Sequence, residues 1–265
     1  MSHRFMLATF TAAAGLALAL PAMAQSQTDS PWDGWYLGVN LGGNWGHGAQ
    51  HLTAAPGNGA IVIPPADIST INSLVEKSNP AGFSGGIEGG YNYSYRSSGL
   101  VLGFETDFGF FNLDQKVSKT FQSALQVSPP IIPAPPPPTA TISQSLKTDW
   151  IWTVRPRIGW RTGRWLLYGT GGMALADVKQ EVGYIDTFNP AHVATFSKSA
   201  TKVGWAAGLG AGFALTPNWS LKAEWIYTDL GTLSASASTP NGYAVIGSSG
   251  KISSNIVRAG VDYRF

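Results

Sequence analysis

The stretch WYLGVNLGGNW, residues 35–45, alternates between large apolar side chains and small or polar ones. A repeat of two indicates a β-strand whose two faces have different surroundings. In a half-buried strand of a soluble protein, the apolar face packs on the core and the other face is usually charged. Here the second face holds only glycine, asparagine and one tyrosine, which suits a narrow interior. The large apolar face is therefore expected to point outward. It consists of Trp35, Leu37, Val39, Leu41 and Trp45.

The composition of the 265-residue chain does not suit a water-soluble surface. Charged residues make up 12%, about half of the roughly 25% usual in soluble proteins, and there are ten tryptophans and 32 glycines. After residue 20, however, no uninterrupted apolar run is long enough to cross a bilayer as a helix. A chain that crosses a membrane with strands must close them into a barrel, because an open sheet leaves unpaired backbone groups in lipid.

The N-terminus has the parts of a secretory signal peptide. A short basic start is followed by an apolar stretch over residues 5–20 and by the small-x-small site Ala22-Met23-Ala24. This pattern predicts a cleaved signal peptide over residues 1–24 and an exported barrel domain over residues 25–265. A membrane anchor is the alternative, but the apolar stretch is short for a span.

Seven further segments are expected to be strands. Six repeat the alternation, and one, 165–176, is placed by spacing because its glycines and apolar residues hide the parity. The eight strands start near residues 35, 81, 100, 149, 165, 203, 219 and 255. The connections after the first, third, fifth and seventh strands are long. They cover residues 47–80, 112–147, 177–201 and 231–252, and within the second of them the β-prone segments 117–127 and 139–147 could extend the third and fourth strands beyond the membrane. The others are tight turns at 96–99, 161–164 and 216–218.

An even number of strands joined by alternating long and short connections is typical of bacterial outer-membrane barrels. We therefore predict an all-β fold, an eight-stranded antiparallel transmembrane β-barrel with long extracellular loops and short periplasmic turns. A ten-stranded barrel, with two strands in the long connections, is the alternative.

Tryptophan spacing supports this prediction. Trp35 and Trp45 are ten residues apart, and so are Trp150 and Trp160. Ten residues at about 3.3 Å each, tilted by roughly 40°, rise about 25 Å, which matches the apolar band between two aromatic girdles. The predicted girdle residues are Trp35, Trp45, Trp150, Trp160, Trp219 and Tyr263.

Charged side chains fall on the inward parity of several strands. Five acids and four bases are expected to face the lumen, with Arg264 near the periplasmic exit. They could line an ion pathway with charged constrictions. The geometry favours a plug, because the interior of an eight-stranded barrel is just wide enough to be filled by side chains and buried charges must pair. The predicted lumen charge network is Glu88, Glu105, Asp107, Arg155, Arg157, Lys222, Glu224, Arg258 and Asp262.

No catalytic residues, metal site or cofactor are predicted. The chain has no cysteine, which excludes disulfides and thiolate metal sites. His47 and His51 stand four apart, a spacing that can bind a metal on a helix, but they fall in a glycine-rich connection where a solvated loop is expected. His192 is equally isolated, and GLGAGF (208–213) does not have the spacing of a dinucleotide-binding motif. The net charge of +2 is too small to indicate a nucleic-acid partner.

Four motifs carry a family resemblance. They are WDGWYLGVNLGGNWG (32–46), GFSGGIEGGYNY (82–93), TVRPRIGWRTGRWLLYGTGGMA (153–174) and VRAGVDYRF (257–265). With these motifs in this order, the sequence resembles the small outer-membrane β-barrels of alphaproteobacterial surface antigens, which are outer-membrane immunogenic or porin-family proteins with an OmpA-like transmembrane barrel. The resemblance covers nearly all of the chain after the signal peptide except the long loops.

The resemblance implies an eight-stranded barrel in the cell outer membrane, exposed at the surface and without enzymatic activity. It also implies that Phe265, with Tyr263 and Val261 at alternate positions, is the signal that the outer-membrane assembly machinery reads. A last lipid-facing strand would need the same residues. Pro156 departs from the family, which usually has a small residue there. Since proline cannot donate to a ladder, a bulge or weakened pairing is expected at this position.

The expected role is structural, that of an envelope protein in outer-membrane lipid whose loops meet the environment. A narrow porin-like passive channel is one alternative, and it would need unpaired polar groups in the lumen. Capture of a loop ligand, such as haemin or a host surface, is another, and for haemin only three loop histidines are available as axial ligands. The run PPIIPAPPPP (129–138) predicts a stiff, exposed polyproline II spacer, or else a docking site for an aromatic groove.

Overall fold

A computed structural model of the protein describes residues 30–95, 98–124, 136, 138–188, 193–239 and 242–265. The predicted signal peptide, His192 and most of the proline run lie outside these residues. The described residues form one helix and nine strands. In chain order these are β1 (Gly34–Pro56), α1 (Pro65–Ser73), β2 (Val75–Ser78), β3 (Ala81–Ser94), β4 (Leu100–Gln122), β5 (Thr139–Thr162), β6 (Trp165–Asp186), β7 (Ala194–Ala214), β8 (Trp219–Ser238) and β9 (Ala244–Arg264). No helix in this part of the chain is long and apolar enough to cross a membrane.

Eight of the strands close into a ring. Each strand from β3 to β8 pairs antiparallel with the strand that follows it in the chain. β1 pairs with both β3 and β9, which closes the ring. The closing pair runs from Tyr36 opposite Arg264 to Pro56 opposite Ala244. The short strand β2 pairs with β1 at residues 48–51, above the point where β3 ends. The prediction of an eight-stranded antiparallel barrel is confirmed.

Side-chain exposure follows the predicted alternation. On the outward face, Phe83 is 77% exposed and Leu41 is 68% exposed, whereas the inward-facing Glu105 is fully buried. In the 165–176 segment, where the sequence gives no parity, Leu166 is buried inside the barrel and Leu167 is exposed outside it. A water-soluble barrel would show the reverse, so the exposure pattern agrees with a barrel surrounded by lipid.

The long connections differ from the prediction, because many of their residues continue the strands. β4 and β5 pair as far as Gln122 opposite Thr139, and β5 and β6 pair as far as Ala140 opposite Asp186. Strand extension agrees with the sequence over 117–122 and 139–147, whereas 112–116, 177–186 and 194–201 are strand where loop was predicted. The barrel wall rises well above the outward apolar band.

Two apolar clusters fill the interior of this raised wall. The lower cluster includes Phe111, Leu113, Leu146, Ile151, Val178, Ile226, Leu233, Ile252 and Ile256. The upper cluster includes Leu52, Ile63, Ile71, Ile142, Val182, Tyr184, Tyr243 and Ile246. Between them lies a layer of buried glutamines, in which Gln50 Nε2 donates to Gln115 Oε1 at 2.9 Å and Gln180 Nε2 donates to Ser248 Oγ at 2.8 Å. The extracellular half thus has an apolar core of its own.

Helix α1 closes the outer end of the barrel. It starts with a proline in its first turn, where the missing N–H costs nothing, and it buries Ile71 in the upper cluster. The buried Asp67 accepts hydrogen bonds from Ser123 Oγ at 2.5 Å and from the backbone N–H of Ala124 at 2.7 Å. These contacts hold the helix against the end of β4.

Two pairing irregularities, one between β4 and β5 and one between β5 and β6, change the inward parity of β5, whereas β4 keeps its odd-numbered residues inward throughout. The register shifts between Phe110 and Leu113 on β4, and between Thr148 and Ile151 on β5. Asp149, which has the same odd parity as the inward Arg155, is therefore turned outward, where its carboxylate lies 2.8 Å from the Lys179 Nζ. At Pro156 the expected weakened pairing is confirmed, because the β5–β6 pairs stop at Val154 and resume at residue 157 without a register shift.

Val39→Arg tests the outward assignment of the apolar face. Val39 lies between Trp35 and Trp45 and is 59% exposed on that face. An arginine there should lower the free energy of unfolding by about 2–4 kcal/mol, because it places a charge in hydrocarbon. The measurement is urea unfolding in phospholipid bilayers, with Val39→Leu as the matched control. Equal unfolding midpoints for the two variants would contradict a lipid-facing Val39.

Two buried tyrosines in the upper cluster are expected to make the folded protein less stable at alkaline pH. Burial raises the pKa of Tyr243 to about 12 and that of Tyr184 well above its usual value. In the unfolded chain, a tyrosine hydroxyl ionises at about pH 10. The contribution of the two neutral, buried hydroxyls to the free energy of unfolding is therefore complete below that pH and is lost as the pH rises toward 12. The thermal unfolding midpoint of the wild type should fall over this range. That of a Tyr184→Phe/Tyr243→Phe variant should fall less, with exposed Tyr93→Phe as control.

Candidate functional site in the lumen

The nine predicted lumen charges all lie on inward positions of β3, β4, β5, β8 and β9 and are buried. Strand register makes three pairs of them direct neighbours across adjacent strands. These pairs are Glu88 with Asp107, Glu105 with Arg155, and Glu224 with Arg258. Alternation of side chains places each charge in the lumen, and the register sets its height.

Glu105 is the centre of the cluster. One carboxylate oxygen lies 2.7 Å from Arg155 Nη2, and the other lies 2.7 Å from Lys222 Nζ. Arg157 Nη2 contacts this second oxygen as well, and the Tyr36 hydroxyl donates to it at 2.8 Å. Arg258 Nη2 lies 3.4 Å from the first oxygen, so the fully buried carboxylate is surrounded by four cations and a hydroxyl, which compensates for the loss of its water.

Asp107 and Glu224 extend the cluster along the wall. Asp107 accepts from Arg155 Nη2 at 2.8 Å and from Arg258 Nη1 at 3.0 Å. Glu224 lies 2.7 Å from Arg258 Nη2, and the Tyr168 hydroxyl donates to it at 2.7 Å. Arg258 therefore bridges two acids on opposite sides of the lumen, which ties β4 to β8 through the interior.

Glu88 and Asp262 differ in how well they are paired. Glu88 accepts from Lys222 Nζ at 2.8 Å and from Asn40 Nδ2 at 2.8 Å. Asp262 is buried too, but no cation of the described residues lies within 4.0 Å of it, and its Oδ1 has no hydrogen-bond partner there. Eight of the nine predicted residues thus form one network of four acids and four bases, and Asp262 stands apart.

The sequence reading missed the neutral partners of the network, among them Tyr36, Tyr168 and Asn40. The guanidinium of Arg157 lies over the Tyr168 ring at 4.0 Å and near the Tyr36 ring at 5.5 Å. A Cβ added to Gly210 would come within 2.3 Å of the Tyr168 ring. Inward tyrosines beside inward glycines were therefore the signal that could have identified these residues.

The network is enclosed on both sides. Toward the periplasm, Trp32 packs across the barrel end with Val101, Leu166, Tyr168 and Ala214. Toward the outside lies the lower apolar cluster. A cavity of about 20 Å³ lies on each side of the network, one beside Asn40 and Ser84 and the other beside Trp32 and Asn218. Each has room for about one water molecule.

The arrangement does not favour a metal ion. Carboxylate oxygens of Glu88, Glu105 and Glu224 lie within 4.8 Å of one another, but four cationic side chains already neutralise the network. His47 and His51 are on the exposed outer face of β1 and not in a loop, which corrects the sequence prediction. Four strand residues span about 13 Å, so these two histidines cannot share one ion or one haem iron.

The predicted girdle residues all lie on the outward face. Trp219 packs edge-to-face on Tyr263 with ring centroids 5.0 Å apart, near the periplasmic end. Phe265 lies in the same group, because its ring is 5.3 Å from that of Tyr263 and its backbone N–H donates to the Trp35 carbonyl at 3.1 Å. Trp150 packs on Phe108 at the outer end of the apolar band.

Sequence comparisons relate the chain to outer-membrane proteins. The sequence matches the family described as outer membrane protein beta-barrel domain over residues 10–265. It is 31% identical over 246 residues to the 31 kDa outer-membrane immunogenic protein of Brucella melitensis, covering 92% of this chain and 88% of that one. It is 24% identical to the 25 kDa outer-membrane immunogenic protein of Brucella abortus, covering 93% and 85%. The solved outer membrane protein OprG from Pseudomonas aeruginosa aligns with a TM-score of 0.46 at 10% identity, covering 88% and 96%.

Arg155→Ala tests the energetic role of the network. The change leaves Glu105 and Asp107 buried with one cation fewer each and should lower the free energy of unfolding by about 3–5 kcal/mol. The measurement is the urea midpoint in bilayers. Lys116→Ala, which breaks an exposed pair with Asp114, is the control and should cost about 0–1 kcal/mol. An Arg155→Ala midpoint equal to that of the wild type would refute the assignment.

Proposed function

Since the chain belongs to the family of outer membrane protein beta-barrel domains and lies in the outer membrane, we propose that its role is structural. In this proposal it is an envelope protein that spans the outer membrane, exposes its raised wall at the cell surface and keeps its lumen closed. The observation that carries the proposal is the sealed network of four acids and four bases between Trp32 and the lower apolar cluster.

A narrow porin-like channel is less well supported by this interior. An ion pathway needs polar groups that are free to exchange partners with the passing ion. Here the carboxylates of the network are held by arginine and lysine, and the apolar clusters and helix α1 lie above them. Haemin capture is also less well supported, because His47 and His51 lie too far apart on β1 to ligate one iron.

The proposal includes export and assembly. Residues 1–24 act as a cleaved signal peptide, and the C-terminal strand ending in Phe265 is read by the outer-membrane assembly machinery. No enzymatic activity is assigned, since the imidazole ring of neither His47 nor His51 hydrogen-bonds a serine or a carboxylate among the described residues.

Planar-bilayer recording tests the closed lumen. The refolded protein should give no steady unitary current, because the network and the apolar clusters leave no continuous aqueous path. A general porin recorded in the same lipid serves as the positive control, and an unboiled gel-mobility shift verifies that the barrel has folded. Steady unitary currents of porin size from the folded protein would favour the channel.

A further inference from the structure

Strands β7 and β8 diverge above the apolar band. They pair from Ala214 opposite Ser220 up to Trp205 opposite Asp229, and their pairing ends there. Above this point β7 pairs only with β6, and β8 pairs only with β9. The two facing edges, Ala194–Gly204 on β7 and Leu230–Ser238 on β8, form what we call the seam. Among the described residues, the backbone donors and acceptors along each of these two edges have no ladder partner.

The seam is open to solvent. None of residues 194–205 of β7 is buried. On the adjacent strand β6, by contrast, every inward side chain from Ala174 to Tyr184 is buried. The outward side chains along the upper part of β8 are small and exposed, namely Thr232, Ser234, Ser236 and Ser238. An incoming chain could therefore approach the backbone closely.

Two lysine side chains occupy the gap. Lys198 Nζ donates to the Ser234 carbonyl at 3.1 Å, and Lys202 Nζ donates to the Thr232 carbonyl at 2.6 Å. In a β-ladder, a backbone N–H of the neighbouring strand would donate to these carbonyls, and the two strands would lie about 4.8 Å apart. Because a lysine side chain makes them here, the two backbones stand farther apart. Lysine on an edge strand is also a common protection against unwanted pairing.

The charged side chains of the seam are all positive. Its two edges contain Lys198 and Lys202 and no acidic residue. Neither lysine has a carboxylate within 4.0 Å among the described residues, whereas the exposed Lys116, Lys179 and Lys251 each pair with an aspartate. An anionic partner would therefore gain two charge-assisted contacts along one edge.

We propose that the seam binds an extended acidic peptide segment of a partner protein by strand addition. A peptide supplies both donors and acceptors to the free edges, which the phosphate of a lipid headgroup cannot do, because it only accepts. A second copy of this chain would bring two more lysines and no acid, so like charges would meet. In the complex, the guest backbone replaces the lysine contacts to β8, and Lys198 and Lys202 turn to carboxylates of the guest.

The position of the seam makes it accessible from outside the cell. It begins directly above the Trp205–Tyr227 ring pair, whose centroids are 5.3 Å apart at the upper edge of the apolar band. The binding region is thus outside the hydrocarbon and on the side wall of the barrel. A protein partner reaches it without entering the lumen.

The test uses a fluorescent nine-residue peptide of alternating threonine and valine with glutamate at its third and seventh positions. Fluorescence anisotropy with the full-length folded protein in bilayer nanodiscs should show saturable binding. A Lys198→Ala/Lys202→Ala variant should bind about tenfold more weakly, as expected for the loss of two partly exposed ion pairs. A Lys147→Ala/Lys179→Ala variant, which removes the same charge from neighbouring β5 and β6, should bind like the wild type.

Two control peptides distinguish strand addition from simple anion binding. One has proline at its central positions and cannot pair, and the other has lysine in place of both glutamates. Neither should bind, and the carbonyl band of an isotope-labelled glutamate peptide should move to the β-sheet position on binding. Equal binding of the proline peptide, or full displacement of the glutamate peptide by inorganic phosphate, would overturn the proposal. So would no binding of the glutamate peptide at about 1 mM.

Discussion

A strand inside hydrocarbon has no water to satisfy its peptide groups, and the whole structure depends on this constraint. The only solution for strands is a closed ring, which the long antiparallel pair between β1 and β9 provides. Closure with eight strands then sets the width of the interior, since so few strands leave space for side chains but not for a pore. The inward glycines beside Tyr168 and the paired charges around Glu105 follow from that width. Large and ionised groups fit only where a neighbour is small and a counter-charge is near.

The lower part of the barrel wall is surrounded by lipid, and the upper part is surrounded by water. Within the apolar band its outward face is leucine, valine and aromatic residues, and its interior is charged. Above the bulges the outward face is serine, threonine and lysine, and the interior is the two apolar clusters. The lower half of the barrel therefore has its apolar side chains outside and its charged ones inside, whereas the upper half has the arrangement of a water-soluble protein. The bulges at Phe110–Leu113 and Asp229–Thr232 lie at the change from one arrangement to the other.

The barrel and most of its lumen were predictable from the sequence because both depend on local alternation. Residues 35–45 and six further alternating segments identify seven strands, spacing identifies the eighth, and parity alone places Glu105 and Arg155 inside. Parity fails where it is reset, as on β5, where Asp149 has the same odd parity as Arg155 but faces outward. The upper part of β6 is predicted as loop because its apolar side faces inward, as in Val178 and Val182, and not toward lipid. Contacts across the barrel, such as Asp67 with Ser123 or the isolation of Asp262, depend on three-dimensional packing that no spacing reveals.

The raised wall also determines what an immune system would see. Because the strands continue far above the bilayer, much of the surface presented to the outside is hydrogen-bonded sheet. An antibody footprint on such a surface gathers side chains from β5, β6 and β7 that are far apart along the chain. These epitopes are discontinuous and exist only in the folded protein, so sera raised against denatured antigen or linear fragments would not recognise them on intact cells.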